Sequence, residues 1–554
     1  MLKYVFSVLL LLFLGCESYN DVNHTPSVSG AITDSAAWYS DMKDDVIRVD
    51  VTIPIPNAHS CVPFDDITAP SRACTLDDID GDTDSTDSYE PTLHVKMQAD
   101  GFVSANEIVN AVFEQKGKTT RHAVQKSYRM KLDSKTVLFR NERVMQLNKH
   151  PNESSRVRNK LAFDLFKTIP NFTSLKTQFV NLWINGTDYG IYTHVEKVGK
   201  EFLKNRGWNE DDNLYKTQNF DFRMVSALEL NDKGTPINPQ AFDEIIEIER
   251  GKEQTTFVEM LHAINREDMS DTEFMQVFNK YFNRDNYITW MAVNIVVANK
   301  DTVSQNFFLF NPLYSDTFYF LPWDYDGSAR ETRYYAKWEL GISNWWGIPL
   351  HEGFLKIKQN RDDLALMVDK IRASYITPST IGERLDTYKP LMQPYLAQSP
   401  DVDELTQTAW NNELNVLIPR LDENIANYKS QIGAPMPFWQ SHEYSNAILT
   451  LKWDEAIDFE GDKIVYDLVC ADNPDFNNSI ISESNMSAEN GKISITSWGE
   501  VSYTKSLNLN SGEHYFMKVT AKEENNASSY QEAFDKEVII GDKEYFGVLE
   551  FIIE

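Results

Sequence analysis

Residues 285–330 read DNYITWMAVNIVVANKDTVSQNFFLFNPLYSDTFYFLPWDYDGSAR. From Tyr287 to Val297 the apolar residues recur at helical spacing, and two β-rich runs follow at 306–310 and 317–322. The expected order is helix, loop, strand, strand, loop. Three polar residues stand at its hinges: Asp301 in the first loop, Asn306 where the first strand begins, and Asp324 just past the second.

That spacing has a chemical meaning. In protein kinases the catalytic loop carries an Asp base and, five residues on, a metal-binding Asn, while a second Asp after a short hairpin holds Mg²⁺. Asp301-x-x-x-x-Asn306 followed by Trp323-Asp324 repeats this order without the usual HRD and DFG words. The segments NKDTVSQNFFLF (299–310) and FYFLPWDYD (318–326) resemble the catalytic and metal-binding segments of the spore coat protein H (CotH) kinase family of atypical secreted kinases. Upstream, KGKTTR (116–121), QKSYRMKL (125–132), RVRNKLAFDLF (156–166) and VNLWINGTDYGIYTHVEKVGKEFLKNRG (180–207) follow the family's order, and the resemblance covers residues 46 to 430. Lys116 stands where the family usually has Arg before the Gly, and Gln125 where it often has a first Lys.

The resemblance implies an α+β fold: a two-lobed atypical protein-kinase-like domain with a β-rich N-lobe and an α-rich C-lobe. It implies ATP with Mg²⁺ or Mn²⁺ as cofactors. Asp301 would be the base, Asn306 and Asp324 would hold metal, and Asp326 would add a second metal contact. Gly117 would sit in a nucleotide-covering turn, and Glu196 where the lobes connect beside the adenine. Alternation in 125–132 places Lys126 with Tyr128, Met130 and Leu132 on one face, so Lys126 is the cation on the apolar face and the expected phosphate contact; a snorkelling edge lysine is the alternative. Asp164, on a helix expected at 156–168 and capped by Ser154 and Ser155, would pair with that lysine or with Lys160 or Lys167 on the surface.

The 554 residues suffice for two or three domains, and a hydrophobic content of 42% fits a folded chain. A formal charge of −30 argues against a nucleic-acid partner, which needs a concentrated basic surface. The opening MLKYVFSVLLLLFLGCES reads as a signal peptide, and Gly15-Cys16 resembles a bacterial lipobox, imperfect at Phe13. A lipidated Cys16 would make this an exported cell-envelope lipoprotein, at the outer membrane or cell surface, anchored to the membrane through its N-terminus; an ordinary signal peptide is the alternative. Cys61 and Cys74 can close a small loop in an oxidising compartment, leaving Cys470 unpaired.

The expected organisation is a signal peptide at 1–16, a polar tether at 17–45, the kinase-like domain at 46–432 and a β-sandwich at 433–554 similar to fibronectin type III modules. A strand opens the fold at 46–55. The run from Asp77 to Glu90 offers clustered oxygens that would suit Ca²⁺, but it fails the EF-hand pattern and reads better as a solvated acidic loop. Asn185-Gly186 marks a hairpin between strands at 178–184 and 190–195, after which Glu196 opens a helix to Arg206. Helical periodicity covers 239–280 and 353–429. Strands are expected at 447–453, 463–470, 492–496, 504–509 and 515–521. The functional expectation is ATP-dependent phosphoryl transfer to protein Ser/Thr hydroxyls. A pseudokinase that only binds, or a nucleotidyl transferase on the same fold, are the alternatives.

Overall fold

A computed structural model describes residues 36–553 except 87, 103–108, 136–137, 253, 333–334, 536–537 and 541–542. The expected signal peptide, Cys16 and most of the tether lie outside the described residues. The last part of that tether packs onto the folded body, with Tyr39 buried and Asp41 paired to Lys176 at 2.9 Å.

Seven strands form a closed barrel: β1 (Val46–Thr52), β2 (Leu93–Ala99), β3 (Ala111–Lys116), β4 (Ser127–Leu132), β5 (Val144–Asn148), β6 (Thr177–Ile184) and β7 (Thr187–Glu196). The barrel order is β1-β2-β3-β4-β5-β7-β6, and it closes through the parallel pair β1 and β6. Its interior is filled by side chains such as Val49, Val95, Phe113, Tyr128 and Leu182, as expected for a barrel of this size. Asn185 and Gly186, at φ 50° and 81°, make the tight turn between β6 and β7.

The acidic run is not an open loop. Thr75 and Asp78 form a capping box at the start of helix α1 (Leu76–Gly81). Its carboxylates meet protein donors: Asp78 pairs with Arg72, Asp80 accepts from the Tyr128 hydroxyl, Asp82 pairs with Arg121, and Asp84 accepts from Thr86 and Ser88. These contacts hold the carboxylates against the fold itself. Cys61 and Cys74 are disulfide-bonded and Cys470 is free and buried.

Helix α2 (Arg158–Phe166) starts two residues later than the periodicity predicts. Arg156 takes a left-handed φ of 57°, which sends its guanidinium to the Lys149 carbonyl and the Gln125 amide, and the Ser155 hydroxyl accepts from the Val157 N–H.

A second sheet has the order β9-β8-β10-β11, from β8 (Asn213–Thr217), β9 (Ile246–Arg250), β10 (Phe307–Asn311) and β11 (Tyr319–Pro322). β9 lies inside a stretch expected to be helical; its Ile-Glu-Ile-Glu alternation fits a strand, and it pairs antiparallel with β8. Helix α3 (Arg284–Val297) is buried along nearly its whole length, as a helix apolar all round must be, and is capped by Asn283. It is fixed to the hairpin by Asn286, whose amide accepts from the Phe320 N–H at 2.7 Å and donates to the Phe320 carbonyl at 3.1 Å and the Asn171 carbonyl at 3.0 Å. The helices Lys358–Ser374, Pro378–Leu396 and Gln407–Ile432 complete one apolar core with α2, α3 and the second sheet.

Beyond Gly433, two antiparallel sheets share a separate core that includes Trp453, Tyr466, Met517 and Phe551. The strands expected near 447–453, 463–470 and 515–521 are Ile448–Asp454, Ile464–Ala471 and His514–Glu523. This region docks on the helical part through Gln531, which donates to Ser343 and Gln431 at 3.0 and 2.9 Å, and through Lys337 stacked 3.3 Å over Tyr530.

Asn286→Ala would remove the side-chain partner of both the Phe320 N–H and the Phe320 carbonyl inside the core. We expect it to cost about 2–4 kcal/mol in a denaturant titration; a loss under about 0.5 kcal/mol would show that the hairpin is held otherwise.

Candidate active site

The β10–β11 hairpin determines where the polar hinge residues go. Phe307 pairs with Pro322, so Asn306 and the Trp323-Asp324 dipeptide leave the ladder at the same end. Both Asn306 and Asp324 then take left-handed backbone, φ 59° and 54°, which short polar side chains tolerate best. Asp324 is held from two sides: Asn299, just past α3, donates to its carbonyl at 3.1 Å, and Asn159 of α2 accepts from the following N–H, that of Tyr325, at 3.1 Å. Tyr325 is buried against Phe163 and Phe166, with ring centroids 5.7 and 4.8 Å away. The aromatic anchor between them leaves Asp324 and Asp326 to face the same cluster of charges.

Asp301 occupies a single 3-10 turn, Lys300–Val303, directly after α3. Its Oδ2 would lie 3.8 Å from a Cβ placed on Gly327, beside Asn299 and Arg330. Asp301, Asp324 and Asp326 act on one another electrostatically. Burial first, then the Asp326 charge, push the Asp324 carboxyl up to about 6, with Lys116 and His150 opposing and Asp301 adding to the rise. Asp301 is also raised, chiefly by burial. Burial works against ionised Asp326 too, but the His150 hydrogen bond and the charges of His150, Arg330 and Lys116 outweigh it and hold Asp326 below the usual range. His150, itself at φ 53°, sits 3.3 Å from Asp326 through Nδ1.

The lysine that meets this cluster is Lys116. At the end of β3, on the outer face of the barrel, its ammonium donates to Asn148 at 2.8 Å and lies 5.8 Å from the centre of the Trp323 ring. Burial lowers its pKa, Asp324 and Asp326 resist that, and the neighbouring cations Lys216 and Arg129 add to it. Gly117 follows at φ 96°, where a Cβ would stand 2.3 Å from the Thr120 hydroxyl, so the chain turns sharply right after Lys116. Lys126 is placed elsewhere: it precedes β4, donates to the Arg121 carbonyl, and feels Asp80 and Asp82.

Two other expected residues also stand apart from the cluster. Glu196 ends β7 fully buried, accepting from both terminal nitrogens of Arg206 at 3.1 and 3.0 Å and from the Lys176 N–H at 3.1 Å. It starts no helix; the next one is Lys200–Asn205. Asp164 pairs with Lys160 at 2.9 Å and with Lys167, but in the interior, where Tyr388 also donates to it.

The donor set fits a hard divalent cation. Asp324 and Asp326 are two carboxylates that raise the cost of ionising each other, and the Asn306 amide leaves the hairpin at the same end. One or two carboxylates, with phosphate oxygens completing the shell, is how Mg²⁺ is usually held. The sequence pattern assigns no site role to Lys116, His150, Asn299 or Asn159. Lys116 had a signal, the cation directly before the turn glycine, whereas the roles of His150 and the two asparagines depend on contacts between distant segments.

A raised carboxyl pKa means that the folded state favours the proton. The stability it confers is present below about 4 and lost as pH rises through about 6. In metal-free buffer at pH 7.5, Asp324→Asn should therefore be more stable than the parent, by about 1–3 kcal/mol, with the advantage shrinking toward pH 4. Denaturant titrations at the two pH values check this; destabilisation at both would make Asp324 a structural residue.

A family model described as CotH kinase protein matches residues 113–424, more than half of the chain and a span that holds every residue of the cluster. The chain is also similar to the inner spore coat protein H of Bacillus subtilis (strain 168), 27% identical over 217 residues, which is 38% of this chain and 57% of that protein. The chain belongs to the CotH kinase protein family.

Proposed function

We propose that this chain is a metal-dependent kinase that transfers the γ-phosphoryl group of ATP to Ser/Thr hydroxyls of a protein. The observation that carries the reading is the meeting of Lys116, Asp301, Asp324 and Asp326 in one electrostatic cluster at the end of the β10–β11 hairpin. In this reading the barrel is the N-lobe and the helical part with the second sheet is the C-lobe. The C-terminal sheets form a fibronectin type III-like accessory domain.

Asp324, Asp326 and Asn306 would hold Mg²⁺ or Mn²⁺, which when bound supplies charge neutralisation at the phosphates. Lys116 would face the phosphates, supported by the positive potential of Arg129 and Lys216. Asp301, on its own short turn and bordered by Gly327, would accept the proton of the substrate hydroxyl. Tyr325, Asn299 and Asn159 would keep Asp324 in place, so that its geometry is set before any ligand arrives.

The test uses the purified chain with ATP, Mg²⁺ or Mn²⁺ and a protein acceptor, followed by intact-mass analysis. Gain of a phosphoryl mass supports the reading; gain of a nucleotidyl mass makes the enzyme a nucleotidyl transferase. Asp301→Asn should keep nucleotide binding and lower transfer by roughly 10²–10⁴-fold. Lys116→Ala should weaken ATP binding by about tenfold or more, while Lys126→Ala should leave it near the parent value. Wild-type levels of transfer in Asp301→Asn would remove Asp301 as the base, and no transfer by the parent under any of these conditions would favour a protein that binds without catalysing.

For its address we propose an exported, cell-envelope lipoprotein, on the apolar run ending at Gly15-Cys16. Cys16→Ser should then shift the protein out of the detergent phase on phase partitioning; unchanged partitioning would count against lipidation.

A further inference from the structure

Among the described residues, the one group of three His, Cys, Asp or Glu side chains whose ligand atoms lie within 4.8 Å of one another is Asp458, Asp462 and Glu523. It lies in the C-terminal region, outside the matched family span. Asp458 and Asp462 come from the turn between Ile448–Asp454 and Ile464–Ala471, and Glu523 ends the strand His514–Glu523.

Glu523 is the unusual member. From Met517 to the end of its strand the buried positions alternate as Met517, Val519, Ala521 and Glu523, which places a carboxylate on the same inward face as three apolar side chains. Glu523 is only 9% exposed, and no hydrogen bond or ion pair reaches its carboxylate from the described residues. Asp458 Oδ2 is likewise buried and without a partner, while Oδ1 accepts from the Glu460 and Asp462 N–H groups at 2.8 and 3.2 Å. The adjacent lysine, Lys463, is already paired with Glu489 and Glu524 at 2.6 and 3.2 Å. Three carboxylates are thus gathered at one point, with oxygens of Asp458 and Glu523 that have no described donor.

We propose that Asp458, Asp462 and Glu523 form a Ca²⁺ site. All three donors are hard oxygens, and their separations do not exceed the span of two oxygens on opposite sides of one Ca²⁺ at about 2.4 Å. The site has a mechanical consequence. Phe459, within the same turn, packs edge-on against Trp346 at 5.3 Å and lies under the Arg361 guanidinium at 3.9 Å, both on the helical part of the preceding domain. Ca²⁺ fixes the turn that carries this contact and so stiffens the attachment of the C-terminal region. The site is independent of phosphoryl transfer and stands whether or not that reading holds.

The test is Ca²⁺ titration by calorimetry into the chelator-stripped full chain, in excess Mg²⁺ and physiological salt. One binding event with a dissociation constant on the order of 10⁻⁴ M is expected in the parent and in Asp324→Asn. Glu523→Gln and Asp462→Asn should weaken it about tenfold or more, and Ca²⁺ should raise the melting temperature of the parent but not of Glu523→Gln. Asp462 is exposed, so its variant reports on binding even where a change at Glu523 disturbs packing. An unchanged isotherm in both variants overturns the site, as does absence of Ca²⁺ binding by the parent. So does a binding event that disappears in Asp324→Asn and persists in Glu523→Gln.

Discussion

Asn286 commits both ends of its amide to Phe320, and so fixes the buried helix Arg284–Val297 to the hairpin that follows it. With helix and hairpin locked, the turn that carries Asp301 and the two strand ends that carry Asn306 and Asp324 have little freedom left. The chain leaves the helix through Ala298 in left-handed backbone, and Asn299 at once takes hold of the Asp324 carbonyl. A buried amide with every donor and acceptor satisfied in this way specifies one arrangement, because any shift of register leaves polar groups stranded in an apolar core.

On this rigid base the protein assembles charges that oppose one another. Asp301, Asp324 and Asp326 share a partly buried space in which each raises the cost of ionising the others, and Lys116 is desolvated beside them. A stability-driven arrangement would pair each of these groups with an opposite charge, as Glu196 with Arg206 and Asp164 with Lys160 do elsewhere in the fold. Among the described residues, Asp326 has His150 within 3.3 Å, while Asp301 and Asp324 meet Lys300, Arg330 and Lys116 as more distant charges. Frustrated charge on well-held backbone is what a site for a divalent cation and a polyphosphate requires before either is bound.

Much of this was legible in the sequence where the signal was local. The apolar periodicity of α3, the two strands after it, the Asn185-Gly186 turn and the strands Ile448–Asp454, Ile464–Ala471 and His514–Glu523 follow from side-chain spacing alone. The spacing of Asp301, Asn306 and Asp324 was likewise readable, because a hairpin returns both its ends to one place. The lysine was not. Inward alternation pointed to Lys126, but a closed barrel fills its interior with apolar side chains, so a lysine facing the rest of the protein has to stand on the outer face, as Lys116 does. The Ile-Glu-Ile-Glu strand at 246–250 sat between helical stretches and gave too short a run to stand out. Glu196 and Asp164 are polar residues in apolar segments, and only the folded chain shows that Arg206 and Lys160 meet them in the interior.

The most direct measurement is an anomalous difference map from crystals of the protein grown with Mn²⁺ and a non-hydrolysable ATP analogue. The account predicts a Mn²⁺ peak among Asp324, Asp326 and Asn306, with the phosphates against Lys116 and open to Asp301. A nucleotide bound beside Lys126 and Asp80, or Mn²⁺ at the C-terminal carboxylates alone, would contradict it.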